Sequence, residues 1–183
     1  ASRVANGPIQ EKFHALAACG FASRRPVSSF DLSRHWEQEE LDAPGFDLAL
    51  RYLGGMENEP PCEKLWYIDL ECICNEGDYA NIARRMAVMA QGSLPLTDIE
   101  DHVDFVRMTA WVRFKCRGES VQIDCALQDD FVDPALFGRF VELLAKYDPQ
   151  KIFLYYDLRG QDCVIGCGTR AERRCGCPEV GRI

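Results

Sequence analysis

The chain contains 183 residues, of which 47% are hydrophobic and 27% are charged, and its formal net charge is −8. This length suits one domain, alone or with an extension, and this composition excludes disorder as the main state. The apolar runs are short and interrupted by charge, so no transmembrane helix is predicted. The acidity makes nucleic acid and anionic membranes unfavourable partners and makes a basic protein a favourable one.

The first 61 residues predict a helical N-terminal extension. Apolar residues recur at helical spacing over 9–17, and a second helix is predicted from about residue 28 to residue 40. The pattern of 46–53 suits either a helix or a strand. The prolines at 60 and 61 then interrupt regular structure. The predicted domains are the extension at 1–61, a core domain at 62–168 and a C-terminal tail at 169–183.

The core domain begins with a predicted strand at 65–74. Its apolar face is formed by alternate residues, namely Trp66, Ile68, Leu70, Cys72 and Cys74. A helix follows from Asp78, a favourable N-terminal capping residue, to Gly92. The capping-box spacing of Thr97 and Glu100 then predicts a short helix that reaches about Asp104.

The second half of the core domain predicts a hairpin, a helix and two strands. The hairpin joins 110–116 to 121–127 through a turn at 117–120, and it would pair Cys116 with Val121, Phe114 with Ile123 and Val112 with Cys125. The helix begins at Pro134 behind the cap Asp133 and ends near Tyr147. The strands lie at 152–156 and 163–167. The order β-α-β-β-α-β predicts an α+β, two-layer, ferredoxin-like antiparallel sheet with an added C-terminal strand.

The ten cysteines are interpreted as reduced core residues rather than as a disulfide framework. The chain is long enough to fold without disulfides, and several cysteines occupy apolar strand positions, which favours a cytoplasmic location. Cys163, Cys167, Cys175 and Cys177 come nearest to a zinc motif, but one residue between the last two is an uncommon spacing. No metal site and no cofactor are therefore predicted. The cysteines are Cys19, Cys62, Cys72, Cys74, Cys116, Cys125, Cys163, Cys167, Cys175 and Cys177.

Carboxylates on the polar face of the first strand allow three interpretations. Asp69 and Glu71 would face the same side as Asp124 if the strand at 121–127 lay beside the first strand. Such a group could bind a divalent ion or serve as general acid and base. It could also pair with Arg113 and Lys115 across the strands, which we consider the favoured reading, or dock a partner.

The acidity is concentrated in the middle of the sequence, where 35–133 carry a net charge of −13. It is either an ordinary solvated surface or an electrostatic docking surface for a basic partner. Asp129 and Asp130 crowd the loop before Pro134. The residues expected to bind the partner are Glu37, Glu39, Glu40, Asp69, Glu71, Asp129 and Asp130, and no catalytic residue is predicted.

Several segments resemble a family of small bacterial cytoplasmic proteins associated with immunity to polymorphic toxins. The resemblance spans about 46–169 and rests on 68–73, 77–79, 98–104, 128–134 and 160–167. It implies an immunity role and transfers no catalytic residue. The tail with Cys175 and Cys177 falls outside it.

The leading hypothesis is a non-enzymatic, acidic protein-binding module that neutralises a cognate basic toxin by direct binding. One alternative is a metal-dependent or thiol enzyme that uses the sheet carboxylates or Cys163. A second alternative is a ferredoxin-like sensor of a small molecule. A deep apolar pocket would favour the sensor, whereas a flat, acidic and exposed surface would favour the inhibitor.

Overall fold

The computed structural model describes residues 9–27, 32–56 and 59–172. Over these residues the fold is α+β, with five helices and six strands. The helices are α1 (Ile9–Ala18), α2 (Gln38–Asp42), α3 (Asp47–Gly54), α4 (Asp78–Met89) and α5 (Pro134–Tyr147). The strands are β1 (Leu65–Asp69), β2 (Leu96–Asp104), β3 (Thr109–Cys116), β4 (Glu119–Ala126), β5 (Lys151–Asp157) and β6 (Asp162–Thr169).

The strands form two antiparallel three-stranded sheets, in the orders β1-β6-β5 and β2-β3-β4. The predicted single ferredoxin-like sheet is not confirmed. Strand β1 pairs with β6, from Leu65 opposite Gly166 to Asp69 opposite Asp162. The expected position of the 121–127 strand beside the first strand is therefore wrong, because β4 pairs with β3 in the other sheet.

The short helix expected after Thr97 is wrong, since this segment is strand β2. It pairs with β3 along nearly its whole length, with a bulge between Thr97 and Glu100. Sheet pairing and the burial of Val103 in the core outweigh the local capping pattern. Asp101 of β2 caps a different helix, because its carboxylate accepts hydrogen bonds from the backbone N–H groups of Gly77 (2.9 and 3.0 Å) and Ala80 (3.1 Å) at the start of α4.

The β3–β4 hairpin forms as expected, but its register differs by two residues. Arg117 and Gly118 are the two central turn residues, with φ angles of 50° and 85°. Positive φ at both positions is the signature of a type I′ turn, which matches the twist of the strands. Cys116 therefore lies opposite Glu119, and Phe114 opposite Val121. A shift of two leaves every side chain on its expected face.

The first strand ends at Asp69 rather than at residue 74. Ile73, expected on the polar face, is fully buried, whereas Cys74, expected in the core, is exposed. Cys72 is half-buried. The alternation of a strand does not continue through 70–74, because this segment leaves the sheet and hydrogen-bonds to the loop before α5 instead.

Two hydrophobic clusters lie on opposite faces of the β1-β6-β5 sheet. Cys163, Ile165 and Cys167 of β6 point into the larger cluster, together with α4, α5 and the β2-β3-β4 sheet. Val164, between them in the sequence, points into the smaller cluster, which the first three helices complete. The N-terminal segment that was expected to form an extension thus contributes most of the second cluster and covers one face of the sheet.

The N-terminal segment differs from its prediction in helix length. Residues 28–31 lie outside the described residues, and α2 is a helix of five residues rather than the end of one spanning 28–40. Residues 47–54 are helical, which resolves the ambiguity over helix or strand. Helix α3 ends against β1 at Gly54, where an added Cβ would lie 2.6 Å from the backbone nitrogen of Tyr67. Over the described residues, no helix combines the length and apolarity needed to cross a bilayer.

Candidate functional site

Two loops come together at one end of the molecule and gather four of the predicted partner-binding residues. The segment after β1 pairs with the loop before α5, since Ile73 N–H donates to the Asp130 carbonyl (2.8 Å) and Val132 N–H donates to the Leu70 carbonyl (2.9 Å). We call the segments 69–73 and 128–132 the paired loops. Their acidic side chains are Asp69, Glu71, Asp129 and Asp130.

Polar contacts from neighbouring groups hold two of the paired-loop carboxylates, those of Asp69 and Glu71. Gln161 donates from its side-chain amide to Asp69 (3.3 Å) and to Glu71 (2.9 Å). Asp69 also accepts from the backbone N–H of Glu71 (3.0 Å). Within the described ranges, no lysine or arginine forms an ion pair with Asp69, Glu71, Asp129 or Asp130. Their charge therefore faces solvent uncompensated by side chains of this part of the chain.

The expected pairing of the sheet carboxylates with Arg113 and Lys115 is wrong. Arg113 pairs with Glu100 (2.5 Å) and Lys115 pairs with Asp98 (2.8 Å), both on β2. Asp124 accepts a hydrogen bond from Gln122 on its own strand (2.8 Å). Because β4 belongs to the other sheet, Asp124 does not join Asp69 and Glu71 in a common strand pairing. The three-carboxylate site has no basis in the strand order.

An apolar cavity of about 380 Å³ opens beside the paired loops. Its lining comes from the paired loops, the start of α5 and the larger-cluster face of the sheet. Gln128 and Phe131 on the lip are exposed, and Phe131 retains 38% of its surface. The lining residues are Leu70, Gln128, Phe131, Val132, Pro134, Phe137, Tyr155, Cys163 and Ile165.

Cys163 in the cavity wall is fully buried. Burial, with smaller contributions from the nearby charges of Asp162 and Asp157, raises the pKa of this thiol to about 12. The thiol is therefore protonated at neutral pH. A nucleophilic cysteine needs thiolate character, so the surroundings of Cys163 oppose this role.

A second exposed apolar group lies at the tip of the β2–β3 hairpin. Phe105, Val106 and Met108 are all exposed, Val106 to 95%. Asp104 holds the tip, because its carboxylate accepts from the backbone N–H groups of Val106 (3.0 Å) and Arg107 (2.9 Å). We call 104–108 the hairpin tip. The backbone N–H of Leu127, next to the paired loops, donates to the Met108 carbonyl (3.2 Å) and connects the two regions.

Three predicted partner-binding residues, Glu37, Glu39 and Glu40, lie at the start of α2, in the N-terminal part. The Glu40 carboxylate accepts from the backbone N–H of Glu37 (2.9 Å) in a capping box, so it has a structural role. Glu40 also borders a cleft of about 330 Å³ that contains Lys12. Burial lowers the pKa of Lys12, although the negative charges of Asp42 and Asp47 act in the opposite direction. The Lys12 ammonium group donates a hydrogen bond to the carbonyl of Ala43.

Asp133 is the N-cap of α5, as expected. Its carboxylate accepts from the backbone N–H of Ala135 (2.8 Å) and, through the other oxygen, from that of Ala126 (2.8 Å). The second contact ties the end of β4 to the helix start. Asp133 therefore orients the chain on both sides of 128–132, the second of the paired loops.

In the part of the chain that the structure describes, no cluster of three histidine, cysteine, aspartate or glutamate side chains is placed to hold a metal ion. Cys175 and Cys177 lie outside the described residues. Of the four cysteines whose spacing comes nearest to a zinc motif, Cys163 and Cys167 are buried in the larger hydrophobic cluster.

Sequence reasoning missed the hairpin tip, Phe131 and the cavity. The short helix predicted from Thr97 ends at about Asp104, so the apolar residues Phe105, Val106 and Met108 that follow it are assigned to no element. The pairing of 70–73 with 128–132 has no local signature, since it depends on contacts between residues about 60 positions apart.

A scan of protein-family models and searches of curated proteins and of solved structures find no match to this chain.

Proposed function

We propose that this protein is a non-catalytic binding module of the immunity type, which neutralises a cognate basic toxin by direct contact. The observation that carries the proposal is the composition of one end of the molecule. There, the exposed ring of Phe131 lies among the paired-loop carboxylates, which form no ion pair in the described residues. The exposed apolar side chains of the hairpin tip are connected to this region through the hydrogen bond from Leu127 to Met108. Exposed apolar groups beside polar groups are typical of protein interaction sites.

The charge pattern supports a basic partner. Residues 35–133 carry a net charge of −13, and the paired loops and the hairpin tip both fall within this range. Complementary charge accelerates encounter and orients the partners, while buried apolar contacts at the centre supply most of the affinity. The end of the molecule described here offers both kinds of group within two connected segments.

The burial of Cys163 makes a thiol enzyme the less favoured alternative. A thiol with a pKa of about 12 is a poor nucleophile at neutral pH. Of the carboxylates considered for metal or acid–base chemistry, Asp69 and Glu71 lie at and just after the end of β1, whereas Asp124 lies on β4 in the other sheet. The protonated thiol and the separation of the carboxylates both support a binding role over the enzyme hypothesis.

A small-molecule sensor is the second candidate, favoured by the apolar cavity of about 380 Å³. This volume lies at the small end of the range of ligand pockets, which is about 300–1,000 Å³. A sensor of this kind would bind an apolar compound independently of the carboxylates on the paired loops. Thermal-shift screening of uncharged apolar compounds, in the wild type and in a charge-neutralised variant, separates the two roles.

The test of the inhibitor proposal is co-purification with the product of the adjacent gene, followed by stopped-flow association kinetics. The variant is Asp69→Asn, Glu71→Gln, Asp129→Asn and Asp130→Asn, which keeps side-chain size and removes four charges. Asn also tolerates the positive φ of Asp129 (52°). The control removes four exposed charges elsewhere, through Glu11→Gln, Glu119→Gln, Asp124→Asn and Glu142→Gln.

The expected result is an association rate that falls about tenfold in the paired-loop variant and clearly less in the control. Both variants have the same net charge, so the difference reports position rather than total charge. Raising the salt concentration above physiological strength should slow the wild type, because the screening length falls below about 8 Å. A neighbouring gene product that neither co-purifies nor is inhibited would refute the proposal.

A further inference from the structure

The cavity between the paired loops, α5 and the sheet has features of a site for a single apolar side chain. Its walls are formed by aliphatic and aromatic groups, and its lip carries the exposed ring of Phe131. The floor includes the buried side chains of Cys163 and Ile165. Protein interfaces concentrate affinity in such desolvated pockets, which receive an aromatic or aliphatic anchor from the partner.

The charges around the cavity restrict which segment could enter it. Leu70 lines the cavity, and its neighbours in the sequence are Asp69 and Glu71. On the other loop, Asp129 and Asp130 lie in the sequence between the lip residues Gln128 and Phe131. Every lining residue from the paired loops is thus within two positions of a carboxylate. A segment that approaches along either loop meets negative charge first, which favours lysine or arginine next to the inserted side chain.

We infer that the cavity receives one large apolar side chain, flanked by lysine or arginine, from a segment of the basic partner. This inference rests on the proposed function and identifies the part of the partner that the protein recognises. The apolar side chain enters the cavity, and the flanking cations contact Asp69 and Glu71 on one loop and Asp129 and Asp130 on the other. The exposed Phe131 ring closes over the inserted group.

Fluorescein-labelled peptides test this inference directly on the full chain at low salt. The probe is Lys-Arg-Trp-Arg-Lys, and its matched control is Lys-Arg-Ala-Arg-Lys. Anisotropy titrations should show that the tryptophan peptide binds about tenfold to a hundredfold more tightly, since burying a large side chain has an effect of this size. Glu-Glu-Trp-Glu-Glu, with the same anchor and reversed charge, should bind much more weakly than the probe.

Two substitutions locate the peptide. Gln128→Trp places a bulky group at the exposed lip and should remove the preference for the tryptophan peptide, while binding of the alanine peptide stays unchanged. Phe131→Ala should reduce that preference several-fold without filling the cavity. Val88→Trp is the control, because Val88 is exposed on α4 and does not line the cavity. Circular dichroism melts of each variant confirm that it is folded.

Each outcome has a separate meaning. Equal binding of the tryptophan and alanine peptides, with strong salt dependence, overturns the anchor inference and leaves charge-driven docking intact. Absence of binding by every basic peptide overturns the inference, and failure of the neighbouring gene product to co-purify then overturns the proposed function as well. A wild-type dimer that Gln128→Trp converts into a monomer assigns the cavity to a second copy and refutes the inference. Tight binding of uncharged small molecules that is unaffected by Asp129→Asn and Asp130→Asn would also refute the inference.

Discussion

The close contact between helix α3 and strand β1 predicts opposite effects for two glycine-to-alanine substitutions. Gly54 ends α3, and a Cβ added there would lie 2.6 Å from the Tyr67 nitrogen and 3.1 Å from the Trp66 carbonyl carbon. Backbone atoms of a paired strand cannot move as the end of a flexible side chain can. Gly138 lies inside α5, and a Cβ added there meets no atom within 4 Å.

The two sites therefore isolate steric overlap from helix propensity. Alanine in a helix interior is about 0.5–1 kcal/mol more favourable than glycine, so Gly138→Ala should stabilise the fold by about this amount. Gly54→Ala carries at most the same gain and adds an overpacking cost of about 1–3 kcal/mol. We expect a net loss of about 1–2 kcal/mol. For a chain of this size that lowers the Tm by roughly 2–8 °C, whereas Gly138→Ala raises it by roughly 1–4 °C.

Urea titrations and thermal melts followed by circular dichroism measure both changes. Equal slopes in urea would show that the variants unfold from the same compact state, so that the midpoints report stability. If Gly54→Ala proved as stable as Gly138→Ala, the contact between α3 and β1 would be looser than described here. The second hydrophobic cluster would then require a different packing of the N-terminal helices.

Three further predictions concern β2 and the cysteines. Asp101→Ala should lower the free energy of unfolding by about 1–3 kcal/mol, because it removes the acceptor for two N–H groups at the start of α4. The control Glu100→Ala should lower it by at most about 1 kcal/mol, the usual value of an exposed ion pair. Comparable losses in urea titrations would contradict the capping role. Ellman's reagent should label Cys74 rapidly in the native protein with the two C-terminal cysteines replaced by serine, and fast labelling of the buried Cys116 would contradict the strand assignment. Burial raises the pKa of Cys163 to about 12, above its value in the unfolded chain, so its stabilising contribution is complete below about pH 8.5 and is lost as the pH rises to about 12. Cys163→Ala should therefore flatten the decline of the urea midpoint between pH 9 and 11, and parallel curves for the two proteins would refute this linkage.

The sequence predicts the elements that carry a local signal. Helix α5 has both a proline at its first position and Asp133 as its cap, and the structure confirms each. Alternation identifies the β3–β4 hairpin and the final strand pair, since side chains on successive positions face opposite sides of a sheet. The exact pairing of the hairpin was missed by two residues, because Arg117 adopts a positive φ that its residue type does not favour.

The sheet order and most of the candidate site depend on contacts that are distant in the sequence. Nothing near Leu65 indicates that β1 pairs with β6, about 100 residues later. The same holds for the pairing of Leu70 with Val132, which gathers the carboxylates and forms the cavity. At Thr97 the local capping pattern favoured a helix, and the strand formed because its partner β3 and the core compensate for that preference. The structure leaves Asp69 and Asp129 exposed and Glu71 and Asp130 half-buried, but no local pattern predicted that the two loops lie together.

Strand β6 is buried on both faces from residue 163 to residue 168, so packing on either face can determine its register. Ile165 and Cys167 face the larger cluster and alternate with Gly166 and Gly168, and the ring of Phe21 lies 3.4–3.9 Å from where a Cβ at Gly168 would be. If the strand slipped by one residue, cysteine and isoleucine side chains would be driven towards that ring, and the glycines would leave voids on the opposite side. Steric overlap on one face and voids on the other would both destabilise the shifted register. The lack of side chains at Gly166 and Gly168, where Leu65 and Phe21 lie close to the backbone, thus favours the observed register of β6 over one shifted by a single residue.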